Sequence, residues 1–367
     1  MKIVNVVGAR PNFMKIAPLM RQMKKHKKIK PILVHTGQHY DYEMSKIFFK
    51  DLGIPDPDIH LGVGSGLHGE QTGQVMIKLE KVLLKEKPDL VLVVGDVNST
   101  MAATLTATKL HIPVAHVESG LRSFDRTMPE EINRLVTDSV ADFLFTPSPD
   151  GNVNLAKEGV DKKKVFLVGD IMIDSLFYNL KKARKSNILK KLSLKKKGYA
   201  LLTLHRPSNV DAKENFGNII DALEKISKKL PIVFPAHPRT VKMIEELGLK
   251  KRFTKNKNIL LLKPQGYLDF VNLMMNAKFV MTDSGGIQEE TTVLDIPCLT
   301  LRNTTERPIT ITRGSNVLVH TNTKKIVDEA NKILRGKVKR SKLISYWDGK
   351  TAEKIVSILL KSKLGKK

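Results

Sequence analysis

Residues Phe279–Glu290 read FVMTDSGGIQEE, which predicts a short buried strand, a glycine turn and the first turns of a helix. The strand is expected over Phe279–Thr282, and SGG at 284–286 removes side-chain bulk where the chain must turn. A helix that begins there presents free backbone N–H groups and a positive dipole end, so an anion such as a diphosphate would fit. Glu290 follows about one helical turn later, where its carboxylate would accept hydrogen bonds from ligand hydroxyls. The segment therefore indicates either a nucleotide site or an ordinary strand–helix connection whose acids favour the dipole.

Length and composition indicate a folded protein with two domains of ordinary size. The chain has 367 residues, 41% of them hydrophobic, with charges scattered along its length, which is typical of globular proteins. No apolar run approaches the ~20 residues of a membrane span, and the opening KIVNVV predicts a strand, without a signal-peptide pattern. The single cysteine, Cys298, excludes an internal disulfide. We therefore expect a cytoplasmic protein with no membrane attachment.

The charge balance is strongly basic, with 63 Lys and Arg against 37 Asp and Glu, a net charge of +26. A nucleic-acid-binding protein would explain this charge. However, lysines alternate with apolar residues at helical spacing in Asn215–Leu230, and the densest basic run, Lys181–Lys197, falls where we expect a domain junction. With one Trp and 5% aromatic residues, the chain has little to stack on bases. We favour a lysine-rich surface without nucleic-acid binding and keep the other class as the alternative.

Apolar segments of strand length alternate with helical segments along the chain, which predicts parallel sheets covered on both faces. In the first half, strands are expected at Ile3–Val7, Pro31–Thr36, Leu90–Val94, Pro113–Val117, Phe143–Thr146 and Val165–Val168. Helices are expected there around Phe13–Lys25, Gln71–Lys85, Ser99–Leu110, Glu130–Val140 and Asn152–Glu158. In the second half, strands are expected near Ala200–Leu204, Pro231–Pro235, Ile259–Leu262, Phe279–Thr282, Pro297–Leu301 and Val317–Val319.

The predicted fold class is α/β, with two doubly wound domains that face a central cleft. A helical stretch from Asp170 to Arg184 leads into the basic run and is taken as the crossover. We therefore assign residues 1–170 to the N-terminal domain and 171–350 to the C-terminal domain. A last helix in 351–367, apolar on one face, is expected to pack back on the first domain.

Basic residues follow the first strand of each predicted domain. Arg10 and Lys15 come after the strand that ends at Val7, and either would neutralise phosphate charge or lie on the surface near a helix start. His205 and Arg206 end the first strand of the second domain and predict a further phosphate contact. The histidines lack zinc-site spacing, so no metal is indicated. GVGSGLHG at 62–69 contains G-x-G-x-x-G but follows a poor core strand, so it predicts a loop and gives little support to a nicotinamide oxidoreductase.

Three acids occupy equivalent places in the first domain. Asp96 and Glu118 each follow an apolar strand, and Glu131 lies at the start of a helix. Asp96 could instead cap the helix after it, and Glu118 could pair with Arg122. Together the three acids suggest general acid–base chemistry on a substrate held in the cleft.

A series of segments resembles, in the same order, the non-hydrolysing UDP-N-acetylglucosamine 2-epimerases. They are GARPNFMKIAPL (Gly8–Leu19), TGQH (Thr36–His39), VVGDVNST (Val93–Thr100), HVESGLRS (His116–Ser123), MPEEINR (Met128–Arg134), TLHRPSNVD (Thr203–Asp211), TDSGGIQEE (Thr282–Glu290) and LRNTTERP (Leu301–Pro308). The resemblance implies two Rossmann-like domains of the glycosyltransferase-B type and a homodimer. It implies reversible conversion of UDP-GlcNAc to UDP-ManNAc through a 2-acetamidoglucal intermediate, with neither a nicotinamide nor a metal.

By position, the resemblance makes Asp96, Glu118 and Glu131 the acid–base carboxylates and the C-terminal domain the UDP-binding one. The substrate-binding residues would be Arg10, Lys15, His205, Gln265, Phe270, Ser284, Gly285, Gly286, Glu290 and Arg307. Gln265 and Phe270 would contact uracil and Glu290 the ribose. Arg307 and His205 would face the diphosphate.

The resemblance also implies a second, activating UDP-GlcNAc site in bacterial members. Gln38, His39, Gln71 and Thr72 resemble part of it. Glu70 and Pro207 stand where arginines are expected, so we expect activation to be weakened or altered. A hydrolysing relative that releases ManNAc and UDP, and a glycosyltransferase of the same fold, remain alternatives.

Overall fold

The computed structural model describes residues 1–38, 56–362 and 364, and of Arg10 only the backbone. The chain divides into two compact units, Met1–Tyr178 with Ser345–Lys367, and Asn179–Ile344. The first crossing lies inside a helix, Ile171–Ala183, whereas the sequence placed it at 170/171. The return crossing lies at Ile344/Ser345, six positions before the predicted 350/351.

Helices and strands alternate along the described residues. The strands are β1 (Lys2–Val7), β2 (Lys30–His35), β3 (Ile59–His60), β4 (Leu90–Val94), β5 (Val114–Val117), β6 (Phe143–Thr146), β7 (Val165–Leu167), β8 (Ala200–Thr203), β9 (Ile232–Pro235), β10 (Ile259–Leu262), β11 (Phe279–Thr282), β12 (Cys298–Thr300) and β13 (Asn316–Leu318). The helices are α1 (Arg10–Met23), α2 (His68–Glu86), α3 (Asn98–Lys109), α4 (Pro129–Val140), α5 (Pro149–Lys157), α6 (Ile171–Ala183), α7 (Ile188–Lys191), α8 (Pro207–Val210), α9 (Lys213–Ser227), α10 (Pro238–Glu246), α11 (Lys250–Thr254), α12 (Tyr267–Asn276), α13 (Gly285–Val293), α14 (Pro308–Thr312), α15 (Thr323–Leu334) and α16 (Thr351–Lys361).

The first unit contains a parallel sheet with the strand order β3-β2-β1-β4-β5-β6-β7. Its central strand β4, LVLVV, is buried at every residue, because helices cover both faces of such a sheet. Helix α2 contributes Val75, Leu79 and Leu83 from one buried face. Gly69 lies within this helix, so the loop predicted for 62–69 ends earlier than expected. The C-terminal helix α16 belongs to this unit and contacts α1.

The second unit contains a parallel sheet with the order β10-β9-β8-β11-β12-β13. Its core includes the apolar face of α9, with Phe216, Ile219 and Leu223 fully buried, and the helix directs its lysines elsewhere. The prediction of an α/β fold with two parallel sheets is confirmed. Within residues 1–38 and 56–362, none of the helices combines the length and apolar character needed to cross a bilayer.

Candidate active site

The strand order reverses beside the first strand of each sheet, between β1 and β4 in one unit and between β8 and β11 in the other. At such a switch point the loops after two neighbouring strands diverge, and open α/β sheets bind ligands there. The predicted site residues follow these strands: Lys15 lies in the helix after β1, and Asp96 comes after β4. His205 comes after β8 and Ser284 after β11. The topology therefore gathers them at the edges where ligand binding is expected.

The turn after β11 leads directly into α13, as predicted. Ser284 is the N-cap residue of α13, and its side chain makes no capping hydrogen bond. The N–H groups of the first helical turn are therefore not satisfied by a side-chain cap. No side-chain cap therefore competes with an anion for the N–H groups at the start of α13.

Gly285 lies against the guanidinium of Arg307. A Cβ added at Gly285 would lie 2.8 Å from Nη1 of Arg307 and 2.9 Å from Oε1 of Glu306. The absence of a side chain therefore lets a cation reach the helix start, where the dipole alone disfavours it. Such a cation suits a site that holds an anion.

Three arginines converge on the buried carboxylate of Glu306. Arg302 Nη1 lies 2.6 Å from Oε2, while Arg307 Nη1 and Arg206 Nη2 lie 2.7 and 3.3 Å from Oε1. Arg307 also pairs with Glu289 through Nε. Burial lowers the pKa of Arg302, and its pairing with Glu306 offsets this only in part. Three guanidinium groups against two carboxylates leave this cluster with excess positive charge.

His205 and Asp283 join the ends of β8 and β11. Nδ1 of His205 lies 2.9 Å from Oδ1 of Asp283, and Oδ2 of Asp283 accepts hydrogen bonds from the backbone N–H groups of His205 (3.0 Å) and Arg206 (2.9 Å). Burial would raise the pKa of Asp283, but His205 and these N–H groups outweigh it and lower the pKa to about 2. Because the carboxylate is ionised, Nδ1 of His205 donates to it. The His205 side chain is 43% exposed, so Nε2 is left for a ligand.

Glu290 is buried and accepts a hydrogen bond of 2.8 Å from the Tyr267 hydroxyl. The pKa of Glu290 is raised to about 7, because burial and the neighbouring Glu289 raise it by more than the hydrogen bond from Tyr267 lowers it. Gln265 and Phe270 belong to the same segment as Tyr267, just before and within α12, and both are partly exposed. The structure thus brings the predicted uracil-contacting segment to the predicted ribose-binding carboxylate.

In the first unit, Asn12 ties the β1–α1 turn to the end of β4. Its Oδ1 accepts from the N–H groups of Gly8 and Ala9 at 3.1 and 3.0 Å, and its Nδ2 donates to the Val94 carbonyl at 2.8 Å. The turn that carries Arg10 is therefore fixed beside β4. The side chain of Arg10 itself lies outside the described part of the chain.

Lys15 and Glu118 form a buried ion pair below Gly95. A Cβ added at Gly95 would lie 2.7 Å from Nζ of Lys15 and 3.6 Å from Oε2 of Glu118. Lys15 is therefore buried, and the alternative that it lies on the surface near a helix start is wrong. Arg122, the other proposed partner of Glu118, pairs with Asp138 and Glu158.

Arg134 connects Asp96 with Glu131. Its Nη1 lies 2.6 Å from Asp96 Oδ2, and its Nη2 lies 2.5 Å from Glu131 Oε2. Glu131 also accepts from the N–H groups of Ser123 (3.0 Å) and Phe124 (2.8 Å). Burial would raise the pKa of Glu131, but these N–H groups and Arg134 outweigh it, so the pKa lies below its usual range. Asp96 does not cap α3, whose N-cap residue is Val97.

A buried histidine supports the turn that carries Asp96. Nε2 of His116 lies 2.8 Å from the Gly95 carbonyl, and Nδ1 lies 2.6 Å from Oδ1 of Asp138. Burial would raise the pKa of Asp138, but His116 and Arg122 outweigh it and keep the pKa below its usual range. The ionised carboxylate and the Gly95 carbonyl are both acceptors. The ring therefore joins the turn after β4 to α4, which carries Asp138. Sequence reasoning assigned no role to His116 or Asp138.

The UDP-N-acetylglucosamine 2-epimerase family matches residues 21–360 of the chain. This chain belongs to that family. The resemblance stated from its sequence segments is thereby confirmed.

Relatives within the family are similar over nearly their whole length. The UDP-N-acetylglucosamine 2-epimerase homolog of Methanococcus maripaludis is 48% identical over 361 residues, which cover 98% of this chain and 99% of that protein. The UDP-2,3-diacetamido-2,3-dideoxy-D-glucuronate 2-epimerase of Pseudomonas aeruginosa is 42% identical over 364 residues, covering 98% and 100%. A crystal structure of the Methanocaldococcus jannaschii UDP-GlcNAc 2-epimerase in complex with UDP-GlcNAc and UDP has a TM-score of 0.91 and 45% identity, covering 99% of this chain and 100% of that one.

Several polar residues at the two switch points were not singled out from the sequence. They are Asp283, Tyr267, Glu306, Arg302, Arg134, His116 and Asp138. All but Tyr267 and Asp138 lie within a segment quoted above, and Tyr267 lies between the predicted site residues Gln265 and Phe270, so that proximity was the available signal. Except for Arg302, each of them has a partner from another element of the same unit.

Proposed function

We propose that this chain interconverts UDP-GlcNAc and UDP-ManNAc by reversible epimerisation at C2 without net hydrolysis. The C2 proton moves to an enzyme carboxylate while the bond between C1 and the UDP oxygen breaks, which yields 2-acetamidoglucal and UDP. UDP then adds back at C1, and a proton is delivered to C2 from the opposite face. Groups that hold UDP between the two steps are as necessary as the acid and the base.

The observation that carries the proposal is the cationic seat at the start of α13. There the Arg307 guanidinium lies against Gly285, and Glu290 follows on the same helix. We assign the diphosphate to Arg307, His205, the Ser284 hydroxyl and the N–H groups of Gly285 and Gly286, since the Ser284 N–H already donates to Oγ1 of Thr282. We assign the ribose to Glu290, and uracil to Gln265 and Phe270. The relative from Methanocaldococcus jannaschii, crystallised with UDP-GlcNAc and UDP, supports a uridine nucleotide as the ligand.

We assign the proton transfers to the three carboxylates of the first unit. Asp96 has the most accessible of the three side chains, 28% exposed against 3% for Glu118 and 2% for Glu131. Asp96 is therefore proposed to face the reacting carbon, while Glu131 fixes Arg134 beside it. Lys15 and Glu118 form a second charged pair next to the same turn, and Arg10 is assigned to the substrate phosphates.

The test is incubation with UDP-GlcNAc in deuterated water, followed by proton NMR. Deuterium at C2 together with UDP-ManNAc supports the proposal. Accumulating free ManNAc and UDP would favour the hydrolysing relative instead. Asp96→Asn and Glu131→Gln should each lose turnover while UDP binding is retained, and Glu130→Gln, at an exposed neighbouring position, serves as the control. Full activity in both variants would refute the carboxylate assignment.

A second candidate substrate is UDP-2,3-diacetamido-2,3-dideoxy-D-glucuronate, which the name of the Pseudomonas aeruginosa relative gives for that enzyme. This relative is 42% identical to the chain, close to the 45% of the UDP-GlcNAc enzyme of Methanocaldococcus jannaschii. UDP-2,3-diacetamido-2,3-dideoxy-D-glucuronate differs from UDP-GlcNAc at C3 and C6, away from the reacting C2. Comparing kcat/KM for the two sugars decides between them. The homodimer stays a prediction, which the mass of the protein in solution tests.

A further inference from the structure

Tyr267 and Glu290 form a buried polar pair in the second unit. The two residues lie on different helices, Tyr267 at the start of α12 and Glu290 in the second turn of α13. The Tyr267 hydroxyl donates to Oε1 of Glu290 at 2.8 Å, and the residues are only 9% and 3% exposed. A buried hydroxyl aimed at a buried carboxylate fixes both side chains.

This hydrogen bond selects one ionisation state of Glu290. Burial and the nearby Glu289 raise the pKa of Glu290, and the hydrogen bond from Tyr267 lowers it. The net result is a pKa of about 7. Glu289 itself is paired with Arg307. The pKa of Tyr267 is raised well above its ordinary value by its own burial and by Glu290, so the phenol remains a donor at neutral pH. Tyr267 therefore favours the carboxylate, which is an acceptor only.

The bond also decides which oxygen a ligand can use. In the part of the chain that the structure describes, Tyr267 is the hydrogen-bond donor to Glu290, and it uses Oε1. We propose that Tyr267 is a positioning residue for the nucleotide: it holds Glu290 as an oriented carboxylate whose Oε2 accepts hydrogen bonds from the ribose hydroxyls. This inference rests on the proposed function, because it needs a ribose at Glu290.

The test uses two ligands that differ only in these hydroxyls. Dissociation constants for UDP and 2′,3′-dideoxy-UDP are measured by calorimetry at pH 7.5 on the full-length protein and on Tyr267→Phe. Wild type should bind UDP more tightly than the dideoxy ligand. Tyr267→Phe should weaken UDP binding about tenfold, the value of one hydrogen bond to a charged group, and should change dideoxy-UDP binding less than about twofold.

The matched control is Tyr199→Phe. Tyr199 is a buried tyrosine of the same unit whose hydroxyl donates to the Leu273 carbonyl at 2.6 Å. Its removal also deletes one buried hydrogen bond, but the ratio of the two dissociation constants should stay at the wild-type value. In Glu290→Gln, the further change Tyr267→Phe should have little additional effect on that ratio, because the two residues act as one unit.

The outcomes separate the two proposals. Equal weakening of both ligands by Tyr267→Phe, or an unchanged UDP affinity, overturns the positioning role. Wild-type protein that binds UDP and dideoxy-UDP equally also overturns it, while the proposed function stands. Wild-type protein that does not bind UDP at all overturns the proposed function and this inference together.

Discussion

Arg134 places Nη1 2.6 Å from Oδ2 of Asp96, which makes the most exposed of the three proposed acid–base carboxylates one end of a buried charge network. The other end is Glu131, held by the same guanidinium and by the N–H groups that follow β5. Asp96 is therefore not an independent acid at the end of β4. Its position depends on α4, which carries Arg134.

Removal of Arg134 should destabilise the fold. Arg134→Met leaves Glu131 buried without its counter-ion and should lower the free energy of unfolding by about 3–5 kcal/mol. Arg134→Lys keeps the charge but not the fork that reaches both carboxylates, so it should recover only part of this loss. Urea denaturation gives the numbers. Arg126→Met, at an exposed position, is the control, and an equal effect of the two methionine variants would contradict the network.

A methyl group at Gly285 should displace Arg307. Because the new Cβ would lie 2.8 Å from Nη1, Gly285→Ala should weaken UDP binding by about tenfold or more while the protein remains folded. Gly217→Ala is the matched control: it lies in α9, and its Cβ would meet no atom within 4 Å. That variant should gain about 0.5–1 kcal/mol of stability with unchanged UDP affinity. Calorimetry and urea denaturation compare the two, and UDP binding of wild-type strength in Gly285→Ala would rule out the predicted displacement.

The ionisation of Glu290 should make the protein less stable as the pH rises. Its folded pKa of about 7 lies above the ordinary 4.5, so the favourable contribution is complete below pH 4.5 and is lost as the pH rises through 7. The full difference corresponds to about 3 kcal/mol. Glu290→Gln cannot ionise, so its stability relative to wild type should increase between pH 5 and pH 8. Unfolding at both pH values tests this, and a constant difference would show that Glu290 does not titrate in this range.

Activation by a second UDP-GlcNAc should be weak. Oε1 of Gln38 already accepts from N and Oγ of Ser99 at 3.0 and 2.7 Å. Nε2 of Gln71 donates to the carbonyls of Gln38 and Gly64 at 3.0 and 2.9 Å. Oε1 of Gln38 and Nε2 of Gln71 are therefore already hydrogen-bonded within the first unit. His39 lies outside the described residues.

The expected kinetics follow from these bonds and from the replacement of the expected arginines by Glu70 and Pro207. The initial rate should depend hyperbolically on UDP-GlcNAc, and UDP-ManNAc should react without added UDP-GlcNAc. Initial-rate measurements in both directions check this. A sigmoidal curve that trace UDP-GlcNAc makes hyperbolic would show that activation is retained.

The strands were predictable from local sequence. The parallel strands β4, β6, β10 and β11 have the predicted bounds. Strands β4, β6 and β11 are largely buried and carry the continuous apolar runs of strands covered on both faces, whereas β10 lies at the sheet edge and leaves Leu260 and Leu261 exposed. Helix α1 begins at Arg10, three residues before its predicted start at Phe13. Pro11 in its first turn allows this early start, and helix ends are set by such local details.

The polar pairs of the candidate site were not predictable in the same way. His205 and Asp283 are 78 positions apart, Asp96 and Arg134 are 38 apart, and Tyr267 and Glu290 are 23 apart. Each residue alone has an ordinary structural explanation. Their partners are chosen by strand order and helix packing, which no local pattern encodes.

Residue types and their order along the chain were enough to establish the alternating α/β class and the family, and to predict an anion site at the start of α13. Hydrophobic periodicity and glycine turns are local, so they can be read without a structure. Tertiary structure alone decided that Glu131 and Asp96 share Arg134, that His205 helps to keep Asp283 ionised, and that Tyr267 donates to Glu290. The energy of a charged or hydrogen-bonded pair depends on burial and on distances of a few ångströms, and the packing of each unit sets both.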